Sequence, residues 1–253
     1  MFQGKDPRFL ASIYVPGSSL LGSTMQFQRG LILKDGSKYY AQSAPGPSYL
    51  LETYIDPETQ RKDTIFGKDG GTYTGDASKT GFNIRKFVNE NLKTEAQWDF
   101  GKTETSFPIF RLAEVYLNLA EAAVEMGKYQ TEAFEAIKKI RDRAGVVTPF
   151  AVVDVEKVRH ERQVELAFEG HRFWDMKRWR IAHLPVDQGG LNGFRGAGLH
   201  PFFDLRIRKY VFEVANDLPK RQRVFTEKNY YTKFSGNDMN SNPSLIQNPE
   251  FLN

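Results

Sequence analysis

The sequence predicts a mainly α-helical protein: a scaffold of tetratricopeptide-like helix pairs, flanked by irregular loop-rich segments with a few short strands. Three observations carry that expectation. Residues 107–183 place apolar side chains at i, i+3, i+4 and i+7 with single glycines between the runs. Residues 1–106 are broken by turn signals such as Asp6-Pro7, Val15-Pro16-Gly17 and Asp69-Gly70-Gly71. Residues 184–253 return to glycine-, asparagine- and proline-containing loops.

Taken in order, the first segment yields strand-like runs at Ala11–Val15, Gln28–Leu33 and Asn83–Val88. The first helix is expected over 107–126, with Leu112, Val115, Tyr116, Leu119, Ala122, Ala123 and Met126 on its apolar face. Pro108 suits its first turn, and Gly127 ends it. A second helix spans about Thr131 to Ala144, with Ala133, Ile137 and Ile140 inward and Gly145 as the stop. Asp154 is a good N-cap for a third helix ending near Glu169-Gly170, and a fourth runs from His171 to about His183. The helices form two consecutive hairpins. Small residues (Ala120, Ala123, Ala133, Ala136) allow close helix approach. Phe168, Phe173, Trp174 and Trp179 are expected to serve the helical core, with the neighbouring cations on the wet face. In the last segment, Arg206–Val214 alternates like a strand.

Composition excludes several function classes. With 35 cationic and 31 anionic residues the net charge is only +4, and the two signs are interspersed, which argues against a nucleic-acid binder. Cysteine is absent, so disulfides, thiolate metal sites and a cysteine nucleophile are excluded. Gly101-Lys102-Thr103 resembles the end of a phosphate loop, but position 96 is alanine where the loop requires glycine. The four histidines form no i, i+4 pair, so no zinc hydrolase is supported. No cofactor and no metal are expected. Glu161, Glu165 and Glu169 make an i, i+4 carboxylate row. Nearby Arg159, Arg162 and Arg172 make a salt-bridged helix face the preferred reading over a glycosidase pair. Aromatic residues on loops remain as candidates for stacking on sugar rings: Trp98, Tyr73, Tyr54, Tyr40 and Tyr39, with Arg85 to meet hydroxyls.

Several motifs occur in a fixed order: Asp6-Pro7-Arg8-Phe9 with Tyr14-Val15-Pro16-Gly17, then Ile84-Arg85-Lys86-Phe87, then Phe110–Asn118, then Ile140–Gly145. The most specific is Arg162–Trp179, and Asn242–Leu245 with Gln247-Asn248-Pro249 closes the series. Together they resemble the SusD/RagB family of Bacteroidetes outer-membrane nutrient-binding lipoproteins. The resemblance implies no enzymatic activity and no cofactor. It implies binding of a glycan or oligosaccharide at the cell surface and its delivery to a SusC-like TonB-dependent transporter. It also implies an outer-membrane location through an N-terminal lipid anchor, expected to lie outside this chain. The chain is expected to be the C-terminal part of such a domain: 1–106 a loop-rich ligand-side segment, 107–183 the helical scaffold and 184–253 a loop-rich C-terminal segment. The alternative is a tetratricopeptide-like protein-interaction scaffold with no sugar site of its own.

Overall fold

The computed structural model describes residues 2, 4–40, 52–69, 80–92, 105–194, 198–215 and 222–252. In chain order the elements are α1 (Pro7–Ser12), β1 (Ile13–Tyr14), β2 (Ser19–Leu20), β3 (Ser23–Thr24), β4 (Leu31–Ile32), β5 (Lys38–Tyr39), β6 (Thr53–Ile55), β7 (Lys62–Thr64) and β8 (Asn83–Ile84). Then come α2 (Leu112–Glu125), α3 (Gln130–Arg143), α4 (Val155–Glu165), α5 (His171–Arg178), β9 (Gly198–Asp204), β10 (Lys209–Ala215) and α6 (Gly236–Ser241). The architecture is helical with short strands, and among the described residues no helix is long and apolar enough to cross a membrane. The chain divides into two compact units: residues 1–169 with 197–218, and residues 170–196 with 219–253.

In the first unit α2, α3 and α4 share one core. Leu117, Ala120, Ala123, Ala133, Ala136, Ile137, Ile140, Val153, Val158 and Leu166 are all buried. Alanines on the facing turns of α2 and α3 leave room for the branched side chains of Ile137 and Ile140. Burying each such side chain contributes roughly 1.5–3 kcal/mol. Gly127 takes φ +63° and Gly145 φ +68°, the left-handed values that end α2 and α3. The Asp154 carboxylate accepts from the Lys157 N–H at 2.9 Å and caps α4.

Four expectations are corrected here. Helix α2 begins at Leu112, because Arg111 is extended (φ −151°, ψ 159°), so Pro108 lies before the helix. Its inward face is Ala113, Tyr116, Leu117, Ala120, Ala123 and Val124. Leu112, Leu119 and Met126 are 63%, 47% and 59% exposed. The helix is apolar around most of its circumference, and packing selects the face with the alanines. Phe168 lies in the turn after α4, with φ +66°, and is exposed, because the helix stops at Glu165. The second expected hairpin is divided, since α5 belongs to the other unit.

The first unit also holds a four-stranded sheet of order β10-β9-β4-β5. Strands β9 and β10 pair antiparallel over seven residues, and β4 lies parallel to β9 with Leu31 opposite Phe203. Beside it β6 and β7 form an antiparallel ribbon in which Tyr54 faces Asp63. Leu31, Ile65 and Leu205 make the core under these strands. Gly67 permits a close backbone approach there: a Cβ would fall 2.0 Å from the Gln26 carbonyl oxygen. Its N–H donates to the Gln28 carbonyl at 2.8 Å.

In the second unit α5 presents Met176 to a small core with Ala182 and Phe225, flanked by Ile181, Leu191 and Tyr230. Trp174 and Phe173 were expected inside but are 64% and 44% exposed. The eight-residue α5 buries only the Asp175–Met176 side, so its aromatic face remains outward. Lys177 lies over both rings, 5.6 Å from Phe173 and 5.5 Å from Trp174. Trp179 is half-buried under the Arg178 guanidinium at 4.9 Å.

Candidate functional site

The aromatic candidates fall into separate places. Tyr39 ends β5 and Tyr54 sits in β6. Their rings meet at 5.4 Å with a 58° tilt, half-buried over Leu31, Ile65 and Leu205. Tyr40 is 46% exposed and meets the Phe202 ring edge-on at 5.9 Å. Trp98 and Tyr73 lie outside the described residues. Arg85 follows β8, in a different ribbon. It grips Glu90 at 2.6 and 2.9 Å and donates to the Leu10 carbonyl at 3.0 Å. Its guanidinium also covers the Tyr14 ring at 5.4 Å. Burial and the Glu90 carboxylate raise the Tyr14 hydroxyl well above its ordinary pKa. Thus Tyr39 and Tyr54 come together, while Arg85 serves another cluster.

A separate cleft of about 340 Å³ is lined by segments remote in sequence. Its walls include Gln26, Gln28, Arg61, Lys62, Asp63, Thr64, Phe203, Arg208 and Tyr210. Arg208 binds Asp63 through both terminal nitrogens, at 2.7 and 2.8 Å. It takes φ +55° in the β9–β10 turn and covers Phe203 at 4.8 Å. Gln28 is buried; its amide donates to the Thr64 carbonyl at 3.2 Å, and its oxygen accepts from the Tyr210 hydroxyl at 3.2 Å. Burial pushes the Tyr210 hydroxyl pKa upward. None of these residues was singled out from the sequence. The only local sign is the alternation in Arg206–Val214, which marks the strand that carries Tyr210, while Arg208 lies in the turn before it.

The glutamate row lies elsewhere and is buried. Arg8 reaches Glu161 at 2.5 Å and Glu165 at 3.0 Å. Arg111 reaches Glu165 at 2.7 Å and Glu169 at 2.7 and 2.8 Å. Arg143 and Arg141 add bonds to Glu165 and Glu161, and Lys86 binds Glu169. These five cations come from segments outside α4. Burial alone would raise the carboxyl pKa of Glu165 and Glu169, but hydrogen bonds led by Arg111 hold both below the ordinary value. A general acid for glycoside cleavage needs the opposite shift. The cluster therefore binds α1, the segment before α2, α3 and α4 together, and the carboxylates of Glu165 and Glu169 are held ionised. Among the described residues no group of three or more acidic or histidine side chains is placed to hold a metal ion.

Comparison with known proteins agrees with the motif order. The sequence model of the SusD family matches residues 1–251, so the chain belongs to that family. One SusD-like protein of Formosa agariphila is 31% identical over 101 residues, 36% of this chain and 20% of the relative. A second from the same organism is 39% identical over 80 residues, 29% and 15% of the two lengths. A solved SusD-like carbohydrate-binding protein of Bacteroides fragilis superposes with a TM-score of 0.60 at 25% identity, covering 97% of this chain and 42% of that one. The chain thus spans less than half the length of each of these relatives.

Proposed function

We propose that this SusD-family chain takes part in non-catalytic capture of a glycan or oligosaccharide at the cell surface. The captured sugar passes to a SusC-like TonB-dependent transporter in the outer membrane, where a lipid anchor holds the full-length protein. One observation carries this reading: the family match over residues 1–251, joined to a solved relative described as carbohydrate-binding. No cofactor enters. Sugar stacking is assigned to Tyr39, Tyr40, Tyr54, Tyr73 and Trp98, with Arg85 as a polar contributor.

Native affinity electrophoresis through gels containing neutral and acidic polysaccharides tests the reading. Retardation by at least one polymer is expected; migration unchanged by every polymer would reject glycan capture by this chain. Co-purification with a SusC-like transporter tests the partner separately.

A second reading, a protein-interaction scaffold without a sugar site, is favoured by one feature. Leu112, Val115, Leu119 and Met126 form an exposed apolar stripe along α2. Stripes of this kind mark interaction surfaces.

A further inference from the structure

We propose that the cleft between the β9–β10 hairpin, strand β7 and the segment before β4 binds an acidic sugar unit, a uronate or a sulfated residue. This inference rests on the glycan reading and adds a site and a ligand class to it. The volume of about 340 Å³ lies at the small end of ligand pockets, enough for a short glycan segment. Tyr210 supplies a half-buried ring whose hydroxyl is tied to Gln28 at 3.2 Å, so the ring is held in place before a ligand arrives. A ring fixed in this way costs little conformational entropy when a sugar face stacks on it.

Charge selects the ligand class. The cleft wall carries Arg61, Lys62 and Arg208 against Asp63. Asp63 is committed to Arg208 by two bonds at 2.7 and 2.8 Å. Asp69, the next acidic group along the chain, accepts from the Gln26 N–H at 2.8 Å. Arg61 is 62% exposed, and its guanidinium comes no nearer to Asp63 than 3.7 Å. Lys62 is exposed and makes no ion pair among the described residues. Arg61 shares, at 3.7 Å, an Asp63 already held by Arg208, and Lys62 has no carboxylate partner among the described residues, so the rim keeps an excess of positive charge. A sugar carboxylate or sulfate ester placed there would gain charge-assisted hydrogen bonds that a neutral sugar cannot offer. The arrangement combines a fixed ring, planar amide and guanidinium groups, and a positive rim within one unit of the fold.

The test uses the whole chain in affinity gels with polygalacturonate, a carrageenan and pullulan, at low and high salt. The variants are Arg61→Gln with Lys62→Gln, Tyr210→Ala, and a control pair, Lys128→Gln with Lys138→Gln, which makes the same charge change on the helical side. Retardation is expected with one or both acidic polymers and not with pullulan, and it weakens at high salt. The polygalacturonate and carrageenan arms separate carboxylate from sulfate ester. The rim pair should weaken binding about ten-fold, the scale of two charge-assisted contacts, while the control pair binds as the parent does. Tyr210→Ala should weaken binding to the same polymer, with circular dichroism checking that it folds. Unchanged binding in the rim variant, or retardation by pullulan alone, overturns the acidic-sugar site and leaves glycan capture standing. No retardation of the parent by any polymer overturns both.

Discussion

The helical core and the sheet-and-cleft region of the first unit are built by opposite means. In α2, α3 and α4 the chain meets itself again within one or two helices, and glycine stops and an aspartate cap set the ends. In the sheet, Leu31–Ile32 pairs with residues 203–204, more than 170 positions away, and β6–β7 is placed by a backbone approach only Gly67 permits. The helices gain their stability from local order plus a buried apolar face. The sheet gains it from long-range register. The polar and aromatic groups suited to recognition collect in the second region, where three segments remote in sequence, around residues 17–28, 61–64 and 203–210, meet at one cleft. A scaffold can be written locally, whereas this cleft depends on tertiary structure.

The sharpest break of that contrast is Glu165→Ala. Its side chain is 1% exposed and ties Arg8, Arg111 and Arg143 to α4. Removing it takes one of their carboxylate partners from the buried Arg8 and Arg111, which keep Glu161 and Glu169, so a loss of up to about 3–5 kcal/mol is expected, to be read from denaturant unfolding. A loss near zero would show that the ion cluster is incidental to the scaffold. The same cluster sets a pH dependence. Glu165 and Glu169 have folded-state pKa values below the ordinary 4.5. The folded form therefore holds fewer protons than the unfolded one in this range. Its stabilisation is complete above about pH 4.5 and is lost as pH falls through the folded values. The unfolding midpoint of the parent should drop as the pH falls below about 4.5, and less steeply in Glu165→Ala.

Next in size is Ile137→Ala. Ile137 is fully buried between α2 and α3, so truncation should cost about 2–5 kcal/mol by the same unfolding measurement. On the sheet side Gly67→Ala forces a methyl against the Gln26 carbonyl. A cost of about 1–3 kcal/mol is expected. Ligand binding in the cleft should fall with it, while Ile137→Ala leaves binding in the folded fraction unchanged. Equal effects of both substitutions on binding would erase the distinction between scaffold and recognition region.

Legibility followed the same division. The Asp154 cap and the glycine stops at 127 and 145 were readable because each acts within four residues. The start of α2 was not. Phe107-Pro108-Ile109 has a helix-like composition, but Arg111 stays extended, and its guanidinium is bonded to Glu165 and Glu169. The glutamate row was readable as ion-paired but not with which cations, since residues 8, 86, 111, 141 and 143 meet it only in the folded chain. The runs expected at 11–15, 28–33 and 83–88 each hold a two-residue strand, whereas β2, β3 and β5, in turn-rich sequence, show too little alternation to detect. The cleft residues Gln28, Asp63, Arg208 and Tyr210 carry no shared sequence signal, while Tyr39, Tyr40 and Tyr54 stood out by residue type alone.

The smallest expected effect separates the two stripes of α2. Leu119 belongs to the set with i, i+3, i+4, i+7 spacing, yet it is 47% exposed, while Leu117 is fully buried. Leu119→Ala removes a side chain that touches mainly water in this chain, and alanine is the better helix former. The change should stay within about 0.5 kcal/mol, against the several-fold larger loss from Ile137→Ala. A loss above about 2 kcal/mol would mean that Leu119 is buried in solution. The exposed stripe would then be covered, and its concentration dependence, read by unfolding at two protein concentrations, would tell self-association from an altered helix orientation. A near-zero loss leaves the stripe open to a partner and keeps the core where the alanines of α2 and α3 place it.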